Sequence, residues 1–273
     1  MYVERRARGE LAEVAQCTWQ SLCERAETTR IVPDACTDII WDGRSLFVAG
    51  PDTGPVLHPN TPGDLHVAVR LATGKNGVLG VPANALRDAR APLGELWGDA
   101  ARTLEDELAA ARDAEAASAV LERAVGQQLT AAAPPDRLVQ QLVWIIRTEL
   151  EAPPSVRALA ATLGVTERQL LRRCNAALGY GPKLLARIFR FQHFLTYVRS
   201  APEKSLAEIA QICGYADQAH LAHETAEFAG VQPRVLREEQ GSRGMSEFDK
   251  PEAAVRQQAS GHGNHRQRRS LAV

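Results

Sequence analysis

The chain has 273 residues, 45% hydrophobic and 24% charged, with a formal net charge of −1. That length suits about two domains with sizeable cores, and the balanced charge announces neither a polyanion nor a membrane surface. Five scattered cysteines without a CxxC pair exclude a disulfide framework and a Cys-rich zinc module.

No apolar run reaches the roughly 18 residues that span a bilayer. The first stretch, "MYVERRARGELAEV", is charged where a signal peptide is apolar. The expectation is a reduced, cytoplasmic chain with no membrane partner.

Residues 1–98 are punctuated by turn sequences, among them "WDGRS", "AGPDTGP" and "HPNTPGD". Between them lie short apolar stretches, Ile39–Trp41, Leu46–Ala49 and Leu65–Leu71, several alternating or β-branched. This texture predicts a β-rich domain with closely spaced strands. Asp34, Asp38 and Asp42 recur around "DIIW", His58 and His66 flank a Gly/Pro loop, and Trp19, Trp41 and Trp97 are either core or the wall of a ligand pocket.

A small-molecule or metal-binding enzyme domain would have to reside here. Its signals are absent. There is no HxH or HxxxH pair, no Ser/His/Asp set, and "GVLGVPANAL" lacks phosphate-loop spacing. The expectation is therefore no catalytic residue, no metal and no cofactor.

Residues 99–135 form a helical connector. Leu104, Leu108, Leu121, Val125 and Leu129 fall near helical spacing, and "TAAAPPD" ends the run. This segment either pairs with a second subunit or packs on its own domain, since it lacks a sustained heptad.

Residues 136–239 read as helix throughout and contain one motif twice. "SVRALAATLGV" at 155–165 overlies "SLAEIAQICGY" at 205–215, so that Ser155, Leu159, Ala160 and Gly164 match Ser205, Ile209, Ala210 and Gly214. Each serine stands at an N-cap, and each glycine follows the last buried position, where a left-handed turn ends a helix. Second helices follow, capped by Thr166 and Asp217, and each stops at a glycine before a proline start, "GYGPK" and "GVQPR". Short helix, glycine turn and second helix form the helix-turn-helix pattern. The long helix "GPKLLARIFRFQHFLTYVRS" joins the copies. At about 18 residues it rises about 27 Å, close to the roughly 34 Å between successive major-groove faces.

Gly214, Tyr215, Asp217, Gln218, His220 and Leu221, with the closing Gly230 and Pro233, resemble the second helix-turn-helix of the AraC/XylS family of bacterial transcription regulators. The resemblance covers about residues 140–239. "VPDACTDIIWDG" resembles the poorly characterised N-terminal domain of a subgroup. The resemblance implies an α+β multidomain protein, a β-rich sensing or dimerising domain followed by an all-α double helix-turn-helix domain. It implies double-stranded DNA as partner. RNA polymerase, an unidentified small-molecule effector and a second copy of the chain stand as further partners. The family places Arg where this chain has His223, an aromatic at Thr225 and a basic residue at Ala226, which weakens the second reading helix here.

On the first recognition helix Leu170, Leu171, Cys174 and Leu178 make the buried side, leaving Arg168, Gln169, Arg172 and Arg173 outward as base-reading candidates. On the second, Gln218, Ala219, Ala222 and His223 face out. Arg suits bidentate contact with guanine and Gln with adenine. Lys183, Arg187, Arg234 and Arg237 are phosphate candidates or ordinary surface charge, and His220 is a phosphate contact or a packed histidine. From 155 to 240, eleven Lys/Arg face eight Asp/Glu, so affinity rests on a few placed cations and depends strongly on salt. Residues 240–273 are polar and basic, the composition of a disordered tail.

Overall fold

A computed structural model describes residues 1–241. The expected tail lies outside the described residues from 242 onward, while residues 240 and 241 still belong to the last helix.

Eight strands build the N-terminal half: β1 Tyr2–Arg6, β2 Ala15–Leu22, β3 Glu27–Ile31, β4 Thr37–Trp41, β5 Leu46–Ala49, β6 Val56–Asn60, β7 Leu65–Leu71 and β8 Arg90–Pro92. Six form an antiparallel sheet in the order β1-β2-β7-β4-β5-β8, and β3 pairs separately with β6. Side chains alternate across the pleat. On β7, Val67, Val69 and Leu71 enter a core with Ile39, Trp41 and Val48, whereas Arg70 stands on the other face opposite Asp38 and Cys17.

Three helices follow, α1 Gly94–Trp97, α2 Asp99–Ala109 and α3 Ala114–Leu129. The helical connector is thus two helices broken at residues 110–113, where Asp113 caps α3 by accepting from Ala116 N–H at 2.8 Å. Leu104, Leu108, Leu121 and Val125 lie in the same core as the sheet. The connector packs on its own domain.

Seven more helices follow among the described residues: α4 Arg137–Thr148, α5 Val156–Thr162, α6 Glu167–Leu178, α7 Pro182–Ser200, α8 Leu206–Ile212, α9 Gln218–Ala229 and α10 Pro233–Gly241. Their core holds Leu142, Ile146, Leu159, Leu170, Phe191, Phe194, Ile209, Leu221 and Phe228. All the caps expected from sequence form. Ser155, Thr166, Ser205 and Asp217 each accept a backbone N–H from the first turn they precede, worth about 1 kcal/mol apiece. Gly214 holds φ +74°, and a Cβ there would lie 2.5 Å from the Glu151 carbonyl oxygen, so only hydrogen fits.

The halves are tied together. Gln192 Nε2 donates to the Pro33 carbonyl, and Arg30 Nη1 donates to the Ala229 carbonyl at 2.7 Å while its Nε reaches Glu239 at 3.0 Å. Gly179 sits against Pro51 and Ala83. Among the described residues no helix is long and apolar enough to cross a membrane.

Candidate nucleic-acid interface

The first module is α5, a turn at Gly164 and α6. Leu170, Cys174 and Leu178 are the buried stripe of α6, spaced i, i+4 and i+8. Leu171, expected on that side, is 40% exposed beside Gly181. It lies at the edge of the stripe, about 60° around the helix from Cys174 at its centre.

Arg168 and Arg172 are exposed on α6 and make no hydrogen bond or ion pair among the described residues. The other two reading candidates differ from expectation. Gln169 is exposed, but its side-chain oxygen closes a capping box, accepting from the Thr166 backbone N–H at 3.0 Å and its hydroxyl at 3.1 Å. Arg173 is half-buried. It grips Asp136, the N-cap of α4, donating from Nε at 2.7 Å and from Nη2 at 2.5 Å. The Arg173 hydrogen bonds hold the Asp136 carboxyl below its ordinary range.

In the second module α8, the Gly214 turn and α9 repeat the geometry. Gln218, Ala219 and His223 are exposed and Ala222 is half-buried. His220 Nδ1 accepts the Ala216 N–H at 3.3 Å, and its ring meets Tyr215 edge-on, which fits the packed histidine rather than a phosphate contact. Leu206, Gln218, Ala219, Ala222, Gln232 and Pro233 line a shallow concavity of about 320 Å³ that opens on this face.

The phosphate candidates divide. Lys183 is exposed one residue past the Pro182 start of α7 and carries no partner among the described residues. Arg234 is exposed and pairs loosely with Glu238 at 3.5 Å. Arg237 is drawn inward, donating to the Lys204 carbonyl. Arg187 is also internal, bonded to Glu224 at 3.0 Å and Glu227 at 2.9 Å, with its guanidinium over the Phe228 ring. The Arg187 hydrogen bond keeps the Glu227 carboxyl low.

Three residues of this network, Arg190, Glu224 and Glu227, escaped the sequence reading. Glu224 is 1% exposed and binds both Arg187 and Arg190, the latter from Nη2 at 2.7 Å. The signal was present. Glu224 lies three residues after Leu221 and four before Phe228, on the apolar stripe of α9, where an unpaired carboxylate is not tolerated.

In the N-terminal half the aspartates separate. Asp38 Oδ1 accepts from Trp19 Nε1 at 2.9 Å and from Arg70 Nε at 3.1 Å, with Asp34 3.6 Å from the same guanidinium and Glu4 at 3.3 Å. Asp42 instead ties its own turn, accepting from the Arg44 and Ser45 amides. Trp41 is core, Trp97 donates to the Val78 carbonyl, and His58 and His66 meet edge to face. Trp19, Asp38 and Arg70 line a cleft of about 2950 Å³ that continues between the halves to Trp144, Arg147 and Phe189. Among the described residues no group of His, Cys, Asp or Glu is placed to hold a metal ion. Burial pushes the Cys17, Cys174 and Cys213 thiols up to about 12, far from a reactive thiolate.

Two helix-turn-helix modules on one connecting helix, the first with unpaired arginines on the exposed face of its second helix, define a DNA-binding protein. Residues 159–239 match the family described as "Helix-turn-helix domain", and residues 4–92 match a "Domain of unknown function (DUF6597)". No curated protein matches the chain. Among solved structures it is similar to an AraC-type transcriptional regulator from Chromobacterium violaceum, at 23% identity and TM-score 0.37 over 39% of this chain and 95% of that one. The C-terminal domain of AraT, a response regulator from Geobacillus stearothermophilus, gives 23% identity and TM-score 0.36 over 41% and 91%. ToxT from Vibrio cholerae gives 8% identity and TM-score 0.45 over 89% and 97%. Residues 159–239 therefore carry a helix-turn-helix domain.

Proposed function

We propose that the chain is a one-component regulator of the bacterial cytoplasm that lays α6 and α9 into two successive major-groove segments on one face of a duplex. The observation that carries this reading is the contrast on α6. Arg168 and Arg172 are exposed and unpaired, while Arg173, Arg187 and Arg237 are consumed by internal partners. Unpaired guanidinium groups on the outer face of a second helix are what groove reading requires. The 19 residues of α7 give a strut about 28 Å long, near one turn of duplex. Lys183 and Arg234 complete the contact as phosphate clamps.

Residues 136–239 are the reading domain and 1–98 the sensing or dimerising domain, with 99–135 packed on the latter. The cleft beside Arg70 supports a small-molecule effector site, occupied in exchange for the contacts that tie the halves together. Binding, not catalysis, is its role, with RNA polymerase and a second copy of the chain as its protein partners. A mobility shift on the DNA upstream of its own gene, at two salt concentrations, tests the proposal. Retarded, salt-sensitive binding that is lost when Arg168 and Arg172 are both replaced by Ala supports it. Binding indifferent to that double change contradicts it.

A further inference from the structure

We infer that the two reading helices divide the operator by base type: α6 reads a guanine-bearing segment and α9 an A·T segment one turn away. The inference rests on the groove-binding reading of both helices and adds what each one recognises.

The α9 sequence, Gln218 to Ala229, contains no Lys or Arg. The nearest cations on α7 do not compensate, because Arg187 and Arg190 are folded onto Glu224 and Glu227. Guanine O6 and N7 are two acceptors side by side, best met by a bidentate guanidinium or by an ammonium. The only ring donors on the exposed face of α9 belong to His223, which offers one N–H at a time to such a pair. Guanine is therefore poorly served.

Adenine and thymine are well served. Gln218 occupies the first position of α9, where recognition helices meet base edges, and its exposed carboxamide makes no hydrogen bond among the described residues. A carboxamide pairs its oxygen with adenine N6–H and its N–H with adenine N7. Ala219 and Ala222 present methyl groups beside it, and together with Leu206, Pro233 and Arg234, whose guanidinium pairs with Glu238 at 3.5 Å, they line the 320 Å³ concavity. A shallow apolar seat flanked by a carboxamide matches the thymine C5-methyl next to an adenine. The α6 face is the reverse. Arg168 and Arg172 offer two unpaired guanidinium groups, and the Gln169 oxygen is already committed to its cap.

The test is affinity selection of random duplexes by the full-length chain, followed by sequencing. Two enriched segments about 10.5 base pairs apart are expected, one carrying guanine and the other A·T. Gln218→Ala should then flatten the A·T preference by roughly tenfold while leaving the guanine segment enriched, and Arg172→Ala should do the opposite. Both residues are exposed, so unchanged melting temperatures would confirm that each variant is folded. Guanine enrichment in both segments, or an unchanged A·T preference in Gln218→Ala, would overturn the inference alone. Selection that enriches no sequence would remove the groove-binding reading and the inference with it.

Discussion

Arg190 reaches Glu224 across 2.7 Å inside the second module, the guanidinium 12% and the carboxylate 1% exposed. The same carboxylate accepts from Arg187 at 3.0 Å, and the Arg190 guanidinium lies over the Tyr215 ring. One buried anion thus gathers two cations of α7 and fixes α9 against the helix that carries it. Losing Glu224 strands the buried Arg190 at a cost of about 3–5 kcal/mol, while Arg187 keeps Glu227. Glu224→Ala should lower stability in urea unfolding by about that much. A loss below about 1 kcal/mol would mean that the pair behaves as a surface contact.

Arg172 and Arg173 are neighbours with opposite assignments. Arg172→Ala should cost about 1–3 kcal/mol of specific DNA binding with an unchanged melting temperature. Titration of a labelled operator duplex measures the first quantity and calorimetry the second.

Arg173→Ala should act on stability through Asp136. The folded Asp136 carboxyl is held below its ordinary value of 3.8 by the Arg173 hydrogen bonds. A depressed carboxyl stabilises the fold above its unfolded pKa, and that contribution fades as pH falls through the lower folded value. Wild type should therefore exceed Arg173→Ala in stability at pH 7, with the gap closing below about pH 4. A gap that is constant from pH 7 to pH 3 would exclude this linkage.

The turn glycines should rank by their surroundings. Gly164 has φ +68° and open space around its missing Cβ, so Gly164→Ala carries only the left-handed backbone cost, about 1 kcal/mol. Gly214→Ala adds a collision at 2.5 Å with the Glu151 carbonyl, and Gly179→Ala one at 2.8 Å with Pro51 across the domain seam. Urea unfolding should place both well below Gly164→Ala. Equal losses at all three would show that backbone conformation alone governs them.

Local chemistry made much of this fold legible. Ser155, Thr166, Ser205 and Asp217 were recognisable as caps because small oxygen-bearing side chains stand just before apolar stripes, and all four cap. Strands β4, β5 and β7 were readable from β-branched runs between turns. Sheet order was not, since it depends on pairing between distant segments, and β3–β6 pairing apart from the main sheet left no local mark.

At the interface, spacing told which α6 residues avoid the core but not which cations are already engaged. Arg173 finds Asp136 and Arg187 finds Glu224, each partner 37 residues away. The Leu171 error has the opposite cause. Hydrophobicity assigned it inward, although it stands at the edge of the stripe of Leu170, Cys174 and Leu178 and is 40% exposed.

The most direct measurement concerns spacing. Operator duplexes bearing both selected segments would be compared with the same duplex carrying an insert of about half a turn, roughly five base pairs, between them. Because α7 fixes the distance between α6 and α9, the insert should reduce affinity to that of the guanine segment alone. Undiminished affinity for the lengthened duplex would contradict simultaneous reading by the two helices.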